Sequence, residues 1–379
     1  MSLTCRVCSR TFHNDLAIFN HVRHKCKTCF CCNYTFSGFK QIRSHMREKH
    51  LNYECTICKR AFFLATSCED HTRMRHRNRK SFDSELQRCG DFSGLVNDIQ
   101  PNQEKMERCR EAVEKLKLFM QHNTKYSIEE FVKGGSFKKG TSVKDTFDLD
   151  LVVFINDYTS VAQWKKNMTE ILSTLKHHIV QGDITWAKGI SFKKKTHRSL
   201  QFSITGHKGE KLLEVDLLPA VDLGKGPRED IFKEMKKSPK TRHLYSACLT
   251  KDQIGFVESI PLQVKNLIRL VKYWKEIEAV KIRSYCVELI VIGLWIQWGD
   301  SKTFDMREGF RRVMEKLSCL RSLQMDSLGK HRASDYTTLP APPAVIDPAN
   351  PFVNVADNIK PGDFDYIERK ANAALANAS

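Results

Sequence analysis

The spacing of cysteine and histidine over the first 80 residues constrains the fold more than any other feature of this sequence. Nine of the 14 cysteines lie before residue 70, in paired spacings interleaved with histidine. Such a pattern is typical of metal sites in a reducing compartment rather than of a disulfide framework. A module of fewer than about 40 residues rarely folds without a staple, so we expect bound metal to supply the folding free energy here.

Three consecutive units repeat the C2H2 zinc-finger pattern of a Cys-x2-Cys turn, a phenylalanine and a helix that carries histidine. The predicted Zn²⁺ ligands are Cys5, Cys8, His21 and Cys26 in the first unit, Cys29, Cys32, His45 and His50 in the second, and Cys55, Cys58, His71 and His76 in the third. His24 is an alternative to Cys26, which we favour because its spacing matches the other units. We therefore predict three small ββα fingers, each with one structural zinc ion.

The excess positive charge is concentrated in the same region. Residues 1–80 hold 16 Lys and Arg against 5 Asp and Glu, so they contribute 16 − 5 = +11 of the chain's net charge of +18. This charge indicates a polyanionic partner. Arginine is absent from the helix positions through which zinc fingers usually read bases, so we favour RNA, double-stranded RNA in particular, over a DNA sequence. A protein-docking module is the alternative.

A pair of aspartates begins the most telling segment of the remaining chain. Asp148 and Asp150 precede the continuous apolar run Leu151–Ile155, which is typical of a buried strand. Residues two apart share one face of a strand, so the two carboxylates project together. Unpaired carboxylates beside a buried strand are costly, and two held side by side form half of a divalent-metal site.

Two further elements complete a predicted catalytic site. Gly135 and Ser136 form a turn whose backbone N–H groups and hydroxyl can contact phosphate oxygens, with Lys139 near enough to offset their charge. A predicted hairpin, residues 199–205 and 211–220, carries the third carboxylate, Asp216. Asp148, Asp150 and Asp216 would hold two Mg²⁺ ions, which indicates nucleotidyl transfer from a nucleoside triphosphate.

From about Glu104 onward the chain resembles the 2′-5′-oligoadenylate synthetase family. The segments that carry the resemblance occur in the family's order and are residues 214–222, 267–275, 309–315 and 345–351. The resemblance implies ATP as donor, with GTP as an alternative, and 2′-5′-linked oligoadenylates as products in innate antiviral sensing. It also implies that Arg269 and Lys272 contact nucleotide phosphates and that Tyr285 lies beside a base.

Two of the departures from the family concern base selection and contact with RNA. Ser284 stands where the family has a glutamine just before the tyrosine. Positions that contact double-stranded RNA in the family are here Ile254, Glu258 and Leu262. The fingers are therefore an alternative site for sensing RNA. Two other functions stay open, a receptor that makes a cyclic dinucleotide and a non-catalytic RNA-binding scaffold.

We predict an α+β fold, with a nucleotidyltransferase-type mixed sheet lobe and a helical lobe behind three zinc fingers. The expected domains are fingers over residues 1–80, a linker over 81–103 because no sustained period is present, a catalytic lobe over 104–225 and a helical lobe over 226–379. We expect an intracellular protein that does not enter membranes, cytoplasmic or alternatively nuclear, because no signal segment or spanning run is found.

Overall fold

The computed structural model describes the chain in two compact units, Met1–Lys80 and Ser81–Ser379. In the second unit the described residues are 81–144, 148–182, 184–224, 226–239, 241–299, 301–329 and 331–378. In the first unit they are 3–5, 8–12, 17–18, 21, 28–29, 34–37, 41, 45, 53–55, 61–62 and 71. Over these residues, none of the helices combines the length and apolar composition that crossing a bilayer requires.

The described part of the first unit repeats one local geometry three times. Strands β1 (Leu3–Thr4) and β2 (Thr11–Phe12) pair antiparallel, as do β3 (Tyr53–Glu54) and β4 (Ala61–Phe62), and a bridge joins Thr28 to Thr35 at the equivalent place. In each repeat a phenylalanine ring packs on a histidine ring with centroids 4.9 Å apart. These contacts are Phe12–His21, Phe36–His45 and Phe62–His71.

A mixed five-stranded sheet forms the first layer of the second unit. Its strands are β5 (Ile128–Lys133), β6 (Asp148–Ile155), β7 (Gly189–Lys195), β8 (Leu200–Thr205) and β9 (Lys211–Ala220). They lie in the order β5-β6-β9-β8-β7, and only the β6–β9 pair among them is parallel. The predicted hairpin of β8 and β9 and the predicted buried strand over residues 151–155 are both confirmed.

Three helices accompany this sheet, namely α3 (Gln103–Asn123), the short α4 (Gly135–Lys139) and α5 (Val161–Gln181). One face of α3 and one face of α5 are buried with the apolar residues of β6, β8 and β9 in a single core. All five residues from Leu151 to Ile155 of the interior strand β6 are buried, so both faces of the strand are covered, which explains why its apolar run is continuous rather than alternating.

The rest of the unit is mainly helical. Its helices are α6 (Arg228–Lys237), α7 (Tyr245–Cys248), α8 (Thr250–Glu258), α9 (Leu262–Ile277), α10 (Ser284–Gln297), α11 (Met306–Ser318) and α12 (Phe364–Ala378). A small sheet follows the order β10 (Gln324–Met325), β11 (Ala344–Asp347) and β12 (Asn350–Asn354). A second core lies among α9, α10, α11 and α12.

The interpretation of residues 81–103 as a linker is wrong. This segment forms α1 (Phe82–Cys89) and α2 (Phe92–Asp98), capped by the side chains of Ser81 and Asp91. Their apolar residues belong to the helical core, where the rings of Phe82 and Phe92 pack on Phe310 of α11. Helices of eight and seven residues are too short to show a sustained period, which is why the sequence pattern did not reveal them.

We predict that Phe92→Ala destabilises the protein by about 3 kcal/mol or more, because it leaves a cavity beside Phe310. The measurement is chemical denaturation of the whole chain. Leu118→Ala is the control, since that side chain on α3 is 54% exposed and should matter little. Equal stability of the Phe92→Ala and Leu118→Ala variants would mean that α1 and α2 do not support the core.

Candidate nucleotide site

The parallel pairing of β6 with β9 brings two of the predicted catalytic residues together. Asp150 lies directly opposite Asp216 in the register, and Asp148 lies opposite Glu214. Residues opposite each other on neighbouring strands project from the same face of a sheet. The side chain of Asp148 lies outside the described part of the structure, so the described carboxylates at this place are those of Asp150, Asp216 and Glu214.

Asp216 and Glu214 have different surroundings. Glu214 accepts hydrogen bonds from Lys193 and Lys211, which lower the pKa of its carboxyl group. Asp216 accepts through Oδ2 from Gln201 Nε2 at 3.1 Å, whereas its buried Oδ1 has no hydrogen-bond partner among the described residues. A buried carboxylate oxygen without a donor is costly unless a cation binds it. The carboxylate oxygens of Asp150 and Asp216 are therefore suitable ligands for a magnesium ion.

Two glycines place the predicted phosphate turn beside Asp150. The Gly134 N–H donates to the Asp150 carbonyl at 2.6 Å, and a Cβ at residue 134 would lie only 3.0 Å from that oxygen. Gly135 has a φ of 68°, which lies in the left-handed region that residues with a side chain rarely adopt. Helix α4 begins at Gly135, so the backbone N–H groups of its first turn lie next to the strand that carries the carboxylates.

Lys139 and Lys272 meet at one buried carboxylate. Lys139 Nζ donates to Glu288 Oε2 at 2.9 Å, and Lys272 Nζ donates to Glu288 Oε1 and to Thr141 Oγ1. Burial acts to raise the pKa of Glu288, but the two ammonium groups and the hydrogen bonds outweigh it and lower the pKa to about 2. Burial lowers the pKa of Lys272, against the raising effect of Glu288. The site thus holds two cations around one anion.

Glu288 was not among the predicted site residues. It is the sole charged side chain of α10, a helix that is otherwise almost entirely apolar. A buried charge requires a partner of opposite sign, so this single glutamate in an apolar run was the signal that could have identified it.

Arg269 binds the backbone of the loop that follows α4. Its guanidinium donates to the carbonyls of Gly140 at 2.6 Å and Ser142 at 3.1 Å, and burial lowers the pKa of this group. Lys138, by contrast, is exposed and pairs with Glu258 at 3.0 Å. Arg269 and Lys272 of α9 therefore both contact the segment that follows α4.

A cleft of about 620 Å³ lies between the sheet and the helical lobe. Of the predicted site residues, those that line it are Gly135, Ser136, Lys139, Asp150, Asp216, Lys272 and Tyr285. Arg269 is not part of the described lining. Arg198, Arg283 and Ser284 also line the cleft and add polar groups to it. The geometry combines carboxylates, a glycine turn and ammonium groups in one cleft large enough for a nucleotide.

The first unit contains one described cluster of predicted zinc ligands. The ligand atoms of Cys5, Cys8 and His21 all lie within 4.8 Å of one another, and Cys8 Sγ is 3.1 Å from His21 Nε2. Cys29 and Cys55 are buried at the places equivalent to Cys5. The predicted ligands outside the described residues are Cys26, Cys32, His50, Cys58 and His76.

Three comparisons show which known proteins the chain is similar to. The family model "2′-5′-oligoadenylate synthetase 1, domain 2, C-terminus" matches residues 225–379. The chain is 30% identical over 302 residues to 2′-5′-oligoadenylate synthase 3 of Mus musculus, covering 72% of this chain and 26% of that protein. The structure of CdnC with ATP from E. coli MS115-1 is similar with a TM-score of 0.54 at 20% identity, covering 73% of this chain and 86% of that one.

Residues 225–379 therefore carry the C-terminal domain of the 2′-5′-oligoadenylate synthetase family, and the chain is similar to a member of that family over 302 residues. The predicted α+β nucleotidyltransferase fold is thereby confirmed. The chain spans about a quarter of the length of synthase 3. Another relative, 28% identical over 254 residues, with 59% of this chain and 66% of that protein covered, is the inactive 2′-5′-oligoadenylate synthase 1B of Rattus norvegicus.

The positions that depart from the family have distinct places in the fold. Ile254 is buried and lines the cleft, and Glu258 pairs with Lys138. Leu262 is 67% exposed at the start of α9. Ser284 lies at the start of α10 next to Tyr285, and its hydroxyl accepts from Lys275 at 3.3 Å. At the positions where the family has RNA-contacting groups, this chain therefore has one ion-paired acidic residue, Glu258, and two apolar residues, Ile254 and Leu262.

We predict that Glu288→Gln lowers the free energy of unfolding by about 3 kcal/mol at neutral pH, because two buried ammonium groups lose their counter-charge. The lowered pKa of Glu288 stabilises the fold above the ordinary value of 4.5, and this effect is lost as pH falls towards about 2. The difference between wild type and variant should therefore shrink in denaturation series below pH 4.5.

Glu308→Gln is the matched control. Glu308 also pairs with two cations, Arg311 and Arg312, but on the exposed surface of α11, so its replacement should cost far less. Similar losses in the two variants would contradict the compensating role of Glu288.

Proposed function

We propose that this chain is a magnesium-dependent nucleotidyltransferase that makes 2′-5′-linked oligoadenylates from ATP. The observation that carries the proposal is the register of Asp150 with Asp216 beside the Gly134–Gly135 turn, with Asp216 Oδ1 left without a described partner. ATP and the 2′-5′ linkage are inferred from the family and from the printed names of relatives, since CdnC was solved with ATP and synthase 3 is named for its product.

Each group of the cleft has a part in this chemistry. Bound Mg²⁺ would neutralise negative charge on the phosphates and lower the pKa of the attacking hydroxyl. Asp148, Asp150 and Asp216 would hold the metal, and Gln201 orients the Asp216 carboxylate through its hydrogen bond. The backbone N–H groups that follow Gly134 and the hydroxyl of Ser136 would bind phosphate oxygens.

Lys139 and Lys272 supply positive charge where a triphosphate would lie. Both line the cleft and both share the carboxylate of Glu288, so the three side chains carry a net charge of about +1 when ionised. The shared carboxylate keeps the ammonium groups ordered before nucleotide binds, which reduces the entropy that binding must overcome. Arg269 acts through Gly140 and Ser142, by holding the loop that carries Thr141.

The proposal predicts that Asp150→Asn or Asp216→Asn abolishes product formation from ATP and Mg²⁺. Loss of a group that only orients a metal ligand already costs about 10- to 100-fold, so loss of a ligand should exceed about 100-fold. The assay is mass spectrometry of products from ATP, GTP or both, with and without double-stranded RNA or DNA, combined with phosphodiesterase sensitivity to assign the linkage.

Asp222→Asn is the control for this assay. Asp222 follows β9, bonds Lys251 and the Gly224 N–H, and is not among the described residues that line the cleft. Cyclic products would favour the receptor-type alternative. Absence of any nucleotide-dependent product under all ligands would favour a non-catalytic scaffold, the condition suggested by the inactive relative.

We further infer that the first unit binds three zinc ions and attaches the protein to double-stranded RNA. The support is the cluster of Cys5, Cys8 and His21, the threefold repeat of the phenylalanine–histidine contact and the net charge of +11 over residues 1–80. RNA binding by the fingers would explain how the family's RNA surface could change at Glu258 and Leu262 without loss of regulation.

Replacement of Cys5 and Cys8 by serine should remove one zinc ion per chain, as measured by elemental analysis, and should weaken binding of double-stranded RNA. The slope of binding against salt concentration should become shallower as phosphate contacts are lost. Cys319→Ser is the control, because Cys319 is an exposed thiol in the second unit. Unchanged zinc content would contradict the zinc site, and unchanged RNA binding with lowered zinc content would indicate that the fingers dock protein.

A further inference from the structure

Tyr285 is held from two directions. Its hydroxyl donates to Asp347 Oδ1 at 2.9 Å, and the centre of its ring lies 3.9 Å from Lys139 Nζ. Both parts of the side chain are thus engaged. The hydroxyl contacts Asp347 of β11, and the ring contacts the ammonium group of Lys139 in α4. The residue joins the C-terminal part of the chain to the phosphate turn.

Asp347 is the buried end of this connection. The side chain is 2% exposed and accepts two hydrogen bonds besides that of Tyr285, from Gln253 Nε2 at 2.5 Å and from the Ala349 N–H at 3.0 Å. The bond from Ala349 stabilises the turn between β11 and β12, which any aspartate or asparagine could do. The bonds from Gln253 and Tyr285 go beyond the needs of that turn, and both donors line the cleft.

We propose that Asp347 is a positioning residue, which holds the ammonium group of Lys139 in place in the cleft through the side chain of Tyr285. The proposal rests on the proposed function, since that function makes Lys139 a phosphate contact. It gives Tyr285 a role different from the one that the family resemblance implies, because here the ring orders a cation. Asp347 itself would touch neither nucleotide nor metal.

The physical basis is the coupling of two interactions through one aromatic ring. A phenol that donates a hydrogen bond to a carboxylate gains electron density, and the attraction of its ring face for a cation increases accordingly. Lysine has a long flexible stem, so an ammonium group in a phosphate site must be restrained by its surroundings. Glu288 restrains Lys139 through its charge, and Tyr285 restrains it by covering the ammonium group.

The first test is a double-mutant cycle of Tyr285→Phe and Asp347→Asn. Asparagine keeps Oδ1 as the acceptor for the Ala349 N–H and the Tyr285 hydroxyl, but it removes the negative charge and the Oδ2 acceptor of Gln253. Phenylalanine keeps the ring and removes the hydroxyl. The effect that the two changes share is therefore loss of the bond between a phenol and a charged carboxylate. We expect each single variant to lower kcat/KM for ATP about tenfold, mainly through KM, and the double variant to fall no further than the worse single variant. Independent effects that multiply in the double variant would overturn the proposal.

Asn354→Ala serves as the control for lost stability. Asn354 is a nearly buried side chain of β12 that bonds the Val345 N–H and the Pro343 carbonyl, and it has no contact with Tyr285 in the described network. Its replacement should lower the melting temperature while KM for ATP stays unchanged. A rise in KM equal to that of Asp347→Asn would show that Asp347 acts only through the fold.

The second test needs no catalysis and separates failure of this proposal from failure of the proposed function. Brief acetylation of the full chain, without nucleotide, is followed by mass spectrometry of Lys139 against its exposed neighbour Lys138. Tyr285→Phe and Asp347→Asn should raise the modification of Lys139 relative to Lys138 several-fold, and Asn354→Ala should not. An unchanged ratio would refute the positioning role, even if wild-type protein makes oligoadenylates.

Discussion

Strand β6 pairs in parallel with β9, and the cleft depends on the register of that pair. Leu149 is buried whereas Asp150 is exposed, so a shift of β6 by one residue would move Asp150 into the core and is strongly disfavoured. With the register fixed, Asp150 faces Asp216, and the Asp150 carbonyl accepts from Gly134. The hydrogen bond from Gly134 to Asp150 thereby attaches the glycine turn to β6, and α4 and the loop to Ser142 continue from that turn.

Charge compensation determines how the helical lobe meets that loop. Two lysines from different lobes share the carboxylate of Glu288, and Arg269 binds the carbonyls of the intervening residues. A buried carboxylate between two ammonium groups is costly to assemble and far more costly to break by removing one member. The contact between the lobes is therefore specific in geometry, which is what a site for a charged nucleotide requires.

Local patterns in the sequence predict the parts of this site but not their partners. The apolar run of β6, the alternation in β9 and the spacing of Arg269 and Lys272 each specify an element and the face that it presents. Nothing local specifies that β6 lies beside β9, or that Glu288 lies between two lysines, since those contacts join residues far apart in the chain. Helices α1 and α2 were missed for a different reason, because each has barely two turns of periodic sequence.

Those two helices alter the account of how the cleft is supported. The carbonyl of Ile99, directly after α2, accepts from the Lys144 N–H, and Gln100 donates to Asn266, which in turn accepts from Arg269. Ile99 thus bonds directly to the segment that follows Thr141, and Gln100 is linked to Gly140 by three successive hydrogen bonds through Asn266 and Arg269. The segment that follows the first unit therefore supports the cleft, so deletions of the first unit should end at Lys80. Deletion to residue 103 would also remove α1 and α2, and with them part of the scaffold of the site.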